Sequence, residues 1–597
     1  MKAFLIINLA LLCLSQAAYN QSIPIKKGLK ISKSCKLNFD DYSLLSTKQS
    51  EPIIRISGNN MVVDFQYATM SGSKTKSKPE KFKGNCILIE NAHNVLIKNV
   101  TIHGYKLAIH LINCSDVTIE NTNLSYNFRP QLQSGREKEN ESDWLSYHNN
   151  EKQEWIEKGS GIYIENSKKI IIRNAVIKES FNGIMLSKSD SCLIYNNQIQ
   201  FNSGIGIGLY RSSNNDIQSN YLDYNVRGFS YGYYKRGQDS AGILVYEQSS
   251  NNNFAYNSAT HCGDGFFLWA GQSSMDTGTG GCNNNLLYGN DFSYAITNGI
   301  EATFSSNTFY NNKVKYCENG FWLGYSYNTL LFGNQMADNK TDIAWEHGQD
   351  NSIRYNLFDR SFIGIKLWAR NEQPKDWGYS KFKDAHSQNF TIERNRFSQT
   401  VLPFDISKST GVSVKDNLID DAEMLLEGDA NITFSNNECR KIKSWGKAEV
   451  FKSDNQGPLG SLTIQGTALE ASKLRIPAKR PDALDTPKDL KIKQGLDKLS
   501  INQYGPYSYE YPKIILTKIS TDTYRFKVEG PAGIWTNKNT KGCELERSSG
   551  NQGQVIQLKV LDKANFMLEL EWQGAMHNDQ FGTRHGANEK IILQERL

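Results

Sequence analysis

The 597-residue chain carries 68 basic and 62 acidic residues, a net charge of +6, and 39% hydrophobic residues. That length accommodates two or three domains, and the small, dispersed charge argues against the electrostatic footprint of a nucleic-acid binder. Ten cysteines lie without metal-like spacing, and Cys86, Cys114 and Cys192 fall in or beside apolar strand-like segments. Buried free thiols fit this pattern better than a disulfide framework.

Residues 1–21 read as a signal peptide. Lys2 supplies the positive end, Phe4 to Leu14 is an apolar run too short to span a bilayer, and Ser15-Gln16-Ala17-Ala18 offers small residues for cleavage. Leu12 before Cys13 is a poor fit to a lipoprotein cleavage site. No later segment approaches the roughly 18 apolar residues of a membrane helix, so the chain reads as secreted or periplasmic, with no membrane span.

Residues 22–83 read as an N-terminal cap region, with strand-like Pro52–Ile56 and Met61–Phe65 on either side of a Gly58-Asn59-Asn60 turn. From 84 to 465 a repeat takes over. Asn290, Asn312, Asn334 and Asn356 stand 22 residues apart, a period that belongs to one coil of a solenoid rather than to a domain. The same asparagines can be followed through Asn99, Asn121, Asn174, Asn196, Asn220, Asn257, Asn395, Asn417 and Asn437. Asparagine suits such corners because it tolerates left-handed backbone, and stacked amides can bond along the axis. Longer gaps place insertions at about 127–159, 229–239, 271–281 and 371–388, and long loops in a compact repeat usually carry function. We expect at least two of them to overhang one face. Residues 466–512, with Pro477, Pro481 and Pro487, read as a linker, and 513–597 as a small C-terminal β-sandwich-like domain.

Each coil opens on a small residue and then alternates, with Ile300 and Ala302, Phe321 and Leu323, Ile343 and Trp345, and Ile365 and Leu367 pointing inward. Aligned coil on coil, one outward column reads Phe267, Glu301, Trp322, Ala344, Lys366 and the next Trp269, Thr303, Gly324, Glu346, Trp368. An idle solvent face would carry Lys, Ser, Thr and Asn. This one describes a hollow with aromatic and charged walls.

Strand-turn-strand coils with asparagine corners, the Gly-Ile-x-Leu…Asn-x-Ile-x-x-Asn rhythm and the export signal resemble the right-handed parallel β-helix superfamily of pectate lyase-like and NosD-type proteins, over roughly residues 50–465. The resemblance implies an all-β solenoid and a carbohydrate lying along the outward face of one parallel sheet. The specific enzyme signatures are missing: a calcium-binding aspartate cluster, the polygalacturonase aspartates with Gly-His-Gly, and an Asp-Pro-His-Asp motif. No family's catalytic residues carry over, and no cofactor or metal is expected.

In the hollow, Glu301 and Glu346 lie two coils, about 10 Å, apart along the axis. Side chains leaning toward one another reach roughly 6.5–9.5 Å, the separation of an inverting glycoside hydrolase pair. Glu301, nearest Trp322 and Phe267, is assigned as the acid and Glu346 as the base, with the reverse also open, and His347 as a group that tunes them. Tyr210, Tyr246, Trp269, Trp322 and Trp368 are candidate sugar-stacking rings, joined by Tyr325, Lys366, Arg370 and, from the second insertion, Arg236 and Asp239. The bland alternative for these rings is a second small core beneath the insertions. Two competing functions remain. A uronate lyase would use Lys366 or Arg370 to neutralise the substrate carboxylate and His347 or Tyr325 as base, and a non-catalytic scaffold would only bind glycan. The partner in every case is a polysaccharide or oligosaccharide. The sequence leaves the oligomeric state open.

Overall fold

The computed structural model describes residues 22–597 except 76, 134–139, 144, 146–149, 228–239, 430, 453–454, 456–475, 477, 484–500, 582 and 596–597; the expected signal peptide lies outside the described residues. Successive coils stack strand over strand in parallel, forming two long sheets that run the length of the solenoid. Ile162, Ile184, Ile207, Ile243, Phe266, Ile300, Phe321, Ile343 and Ile365 all point inward and join one continuous core. This is the expected all-β parallel β-helix, and alternation explains it, since every second side chain is removed from water.

The coils begin earlier than the repeat suggested. Within the 22–83 cap region, Pro52–Ile56 already pairs in parallel with Asn85–Glu90, and Asn59–Ser71 with His93–His103. Its apolar residues, among them Ile54, Val63 and Phe65, are buried in the same core.

The asparagine ladder divides into two jobs that the spacing alone merges. Asn99, Asn121, Asn174 and Asn196 have left-handed backbone, with φ of 61°, 54°, 53° and 57°. From the next residue, Asn197, onward, the ladder asparagine is instead a buried bonding group, and the residue before it takes the left-handed position: Ser219, Tyr256, Gly289, Asn311, Gly333 and Tyr355. Asn312 illustrates the bonding. Its Oδ1 accepts from the Asn290 backbone N–H at 3.1 Å and Nδ2 at 2.9 Å, and its own Nδ2 donates to Leu287 O and Asn334 Oδ1 at 3.0 Å each. A second ladder, Asn215, Asn252, Asn285 and Asn307, runs along another corner with Nδ2–Oδ1 distances of 3.0, 3.0 and 3.1 Å.

After the coils the chain returns along their outer surface. Ile476 packs beside Phe332 and Tyr355, and the Arg480 guanidinium lies 4.2 Å over the Tyr195 ring. Two four-stranded antiparallel sheets follow. They share a core of Phe526, Val528, Trp535, Leu558, Leu570 and Trp572. The nine cysteines from Cys35 onward are free, and all but Cys439 are buried.

Replacing Asn312 by Leu removes four hydrogen bonds and strands buried partners in both neighbouring coils. Each stranded group costs about 1–3 kcal/mol, so urea unfolding should show a loss of at least about 2 kcal/mol, whereas an exposed asparagine such as Asn60 replaced by Gly should change stability little.

Candidate functional site

The two outward columns form in the aligned register. Phe267 pairs with Glu301, Glu301 with Trp322, Trp322 with Ala344 and Ala344 with Lys366. In the second column Trp269 pairs with Thr303 and Glu346 with Trp368. Strands Asp264–Trp269, Asn298–Thr303, Asn319–Trp322, Thr341–Glu346 and Ile363–Trp368 carry the face.

Its amino-terminal end is covered. The first insertion lays Trp155, fully buried, across Tyr163, Tyr210 and Tyr246, forming a second small core with Leu145 and Phe267. Trp155 meets Tyr210 edge-on at 5.5 Å. Gly208 makes room for it, since a Cβ there would lie 3.2 Å from the indole and 2.5 Å from Met185 Cε. Asn150 fixes the insertion by accepting from the Trp155 N–H at 2.9 Å and donating to Tyr163 Oη and Ser187 Oγ at 3.2 Å each. Tyr210 and Tyr246, expected as stacking rings on an open wall, are therefore core residues. The indole removes their faces from any ligand, and their exposure falls to 2% and 0%.

The third and fourth insertions meet over one corner. Their short helices, Gln272–Thr277 and Tyr379–Phe382, pack on each other, and Met275, Phe304, Tyr325, Tyr379 and Trp377 form a separate apolar cluster. Three insertions thus reach this side of the solenoid. Tyr325, expected to face substrate, is stacked between Phe304 at 4.7 Å and His347 at 4.6 Å, and its hydroxyl donates to Gln373 Oε1 at 2.8 Å. His347 is similarly committed. Nδ1 donates to Ala385 O, and Nε2 accepts from the Arg370 backbone N–H at 2.9 Å. One nitrogen facing a carbonyl and the other an N–H requires the neutral tautomer, and burial lowers the ring's pKa further. His347 fastens the fourth insertion to the sheet and has no lone pair left for proton transfer. Arg236 and Asp239 lie outside the described residues.

What stays partly exposed on this face is a row of three tryptophans, Trp269, Trp322 and Trp368, all half-buried. Trp322 and Trp368 meet edge to face at 5.5 Å. Lys366 Nζ lies 5.8 Å over the Trp368 ring and is ion-paired to Asp405 at 2.8 Å. Arg370 clamps Glu346 through Nε at 2.6 Å and Nη2 at 2.9 Å, while the Trp368 indole N–H donates to Glu346 Oε1 at 3.0 Å.

Glu301 sits in a different environment. Buried between the Phe267 and Trp322 positions, it accepts one hydrogen bond, from Asn298 Nδ2 at 2.7 Å. The backbone N–H of the same Asn298 donates to Asp264 Oδ1 at 2.9 Å, and Asn319 Nδ2 donates to Asn298 Oδ1 at 3.0 Å. Burial first, and then the neighbouring Asp264 charge, push the Glu301 carboxyl well above the ordinary range, with the Asn298 bond opposing them. Asp264 opens the strand Asp264–Trp269, three residues before Phe267. It bonds Asn298, whose register partners on the following coils are Asn319 and Thr341, three positions before the Glu301, Trp322 and Ala344 column, and carrying the coil alignment back to the strand starts brings these residues together.

Two family models match. The one described as "Right handed beta helix region" covers residues 85–278, and "Periplasmic copper-binding protein (NosD)" covers 241–382. Together with the observed pairing, they make this chain a right-handed parallel β-helix protein. No curated protein matches the sequence. Among solved structures, the chain is similar to the mannuronan C-5 epimerase AlgE4 A-module of Azotobacter vinelandii, at 11% identity over 69% of this chain and 91% of that one, TM-score 0.34. It is similar also to the periplasmic alginate epimerase AlgG, at 12% identity over 69% and 76%, TM-score 0.33. A third is the surface adhesin PfbA of Streptococcus pneumoniae, at 13% identity over 72% and 83%, TM-score 0.28. Similarity at this level carries no argument about activity. Among the described residues no three His, Cys, Asp or Glu side chains converge as metal ligands, and burial raises the thiols of Cys192, Cys282 and Cys317 to about 12. These residues do not fit a copper site.

The Glu301 shift has a measurable sign. A carboxyl protonated when folded and ionised when unfolded loses stability as pH rises above its unfolded value. Glu301→Gln should therefore gain stability relative to the native protein between pH 5 and 8 and lose the advantage near pH 4, read from urea midpoints across that range.

Proposed function

We propose that this chain is an exported enzyme that binds a polysaccharide across the Trp269, Trp322 and Trp368 groove and cleaves it as a glycoside hydrolase, with inversion favoured. The observation that carries the reading is Glu301: a carboxyl that burial and then Asp264 push well above the ordinary range, set between the Phe267 and Trp322 positions. Glycoside hydrolysis needs one carboxylic acid to give its proton to the leaving glycosidic oxygen and a second, ionised carboxylate to take a proton from the attacking water. The contrast lies in the partners: Glu301 has the single Asn298 bond, while Glu346 is bonded by Arg370 and Trp368. Glu301 takes the acid role and Glu346, ion-paired with Arg370, the base role. Trp322 and Trp368 stack on sugar faces, and Trp269 continues the wall. Export, to the periplasm or outside the cell, rests on the pattern of residues 1–21.

The lyase alternative is weaker because its cations are already engaged. Lys366 is held by Asp405 and Arg370 by Glu346, so a uronate would have to displace an internal carboxylate. The scaffold alternative draws on a different observation. Both Glu346 oxygens accept bonds from Arg370, and Trp368 adds a further one, an arrangement that suits a fixed wall as well as it suits a base.

Incubating the mature protein with neutral, uronic and sulfated polysaccharides separates the three. New reducing ends without ultraviolet absorbance are expected. Absorbance from unsaturated ends would establish a lyase, and tight binding without turnover a scaffold. Glu301→Gln should lower kcat by about 10²–10⁴-fold while leaving ligand affinity nearly unchanged, and normal turnover in that variant would remove Glu301 from the reaction.

A further inference from the structure

A second cavity lies far from the groove, where the C-terminal domain docks onto the first coils. Its volume is about 720 Å³, within the range of small-ligand pockets, roughly 300–1,000 Å³. Three parts of the chain line it: Glu80 and Tyr126 from the coils, Tyr504 from the segment before the sandwich, and Lys513, His577 and Phe581 from the sandwich.

The walls are fixed. Arg129, fully buried, donates to Ser203 Oγ at 3.2 Å, Phe201 O at 3.2 Å and Pro506 O at 2.8 Å. Glu179, also buried, accepts from the Ser508 N–H at 2.9 Å and from the Tyr511 hydroxyl. Phe581 inserts between Tyr126, at 5.2 Å, and His103, at 4.9 Å. A cavity so braced is preformed, and ordering it adds nothing to the cost of binding.

Two polar groups at this cavity are left over by the fold. His577 is 7% exposed, held between Trp572 and His585. Its Nδ1 donates to Ala575 O at 3.1 Å, while its Nε2, buried, has no partner among the described residues. With the proton on Nδ1, Nε2 is an acceptor waiting for a hydroxyl or N–H. Lys513 Nζ lies 5.6 Å over the Tyr507 ring and makes no ion pair among the described residues. It offers donors. Tyr504 donates to Glu80 Oε2 at 3.0 Å, leaving that carboxylate further acceptor capacity. The lining charges nearly cancel, Lys78 and Lys513 against Glu80, Asp579 and Glu595, and Asp579 is spent capping the Phe581 and Thr583 N–H groups. Such a mixture rejects a polyanion. Acceptors, an ammonium and aromatic faces together suit a compact, uncharged, hydroxyl-rich ligand.

We propose that this interdomain cavity is a second glycan site that binds the end of a neutral oligosaccharide, with His577 Nε2 accepting from a sugar hydroxyl, Lys513 and Glu80 bonding others, and Tyr504 flanking the ring. The site stands independently of the groove and of any catalysis there.

Isothermal titration of the intact protein with cellohexaose, xylohexaose and maltohexaose, and with oligogalacturonate as the charged arm, tests it. Saturable binding of a neutral hexamer is expected to persist in Glu301→Gln and in Trp322→Ala, and to weaken at least tenfold when His577→Phe is added to the Trp322→Ala protein. Ile592→Trp should do the same. Ile592 is 51% exposed on the cavity rim, so the added ring narrows the mouth without removing a packed contact, and it decides the matter should His577→Phe fail to fold. Binding of none of the neutral hexamers, binding of the charged arm alone, or binding lost in the groove variants and untouched by Ile592→Trp would each overturn the proposal. Absence of glycan cleavage by the native protein, with cavity binding intact, would count against the hydrolase reading only.

Discussion

A buried side-chain amide ties each coil to both of its neighbours, and the rest of the molecule depends on that bond. The asparagine oxygen takes the backbone N–H and the amide of the preceding coil, while its own amide reaches the next coil and a carbonyl of the one before. Main-chain ladders alone fix the spacing of coils but leave a corner free to slip. The amide fills the corner's interior, where an unpaired backbone group would otherwise be stranded at about 1–3 kcal/mol. Repeated from Asn197 to Asn437, it keeps the outward columns in register over many coils.

Register makes the groove possible and also limits what its residues can be. Once columns are fixed, a carboxyl at position 301 must lie between an aromatic on each side, Phe267 and Trp322, with Asp264 and Asn298 at the starts of the same two strands. Its charge state follows from those neighbours more than from its own chemistry. Glu346, two coils on, meets Trp368 and the Arg370 that leaves the strand just beyond. Two glutamates in similar backbone settings thus acquire opposite electrostatic roles. The insertions sharpen the contrast by burying one end of the face under Trp155 and leaving the other to Trp322 and Trp368.

Periodicity was legible in the sequence because it reflects backbone geometry: the coil length, the inward alternation and the paired columns all follow from a side-chain period of two within a repeat of 22 residues. What the sequence concealed depended on contacts between segments far apart in the chain. Trp155 reaches Tyr246 across an insertion, so nothing near Tyr246 marks it as buried. His347 reads as a free imidazole until Ala385 and Arg370 occupy its two nitrogens. The shift from Asn196 to Asn197 is a different failure. Adjacent asparagines satisfy the same spacing, and only backbone conformation separates the one that turns the chain from the one that bonds within it.

The position of the C-terminal domain adds a further constraint. Burying Arg129 and Glu179 is costly unless every bond is made, and the partners they need are backbone groups of the segment 506–508 together with Tyr511. Hydrophobic docking would tolerate sliding along the solenoid, whereas this set of bonds is satisfied at one coil only. The Tyr126 coil, whose strand is Leu107–Ile112, lies six strand steps before the Glu301 strand, about 29 Å along the axis at the ordinary inter-strand distance. A glycan held at the interdomain cavity would present its remaining length at that fixed offset from the groove. Effective concentration is highest when the tether matches the span, so the rigidity of the coils, and not the chemistry of either site, would set the length of chain that engages both.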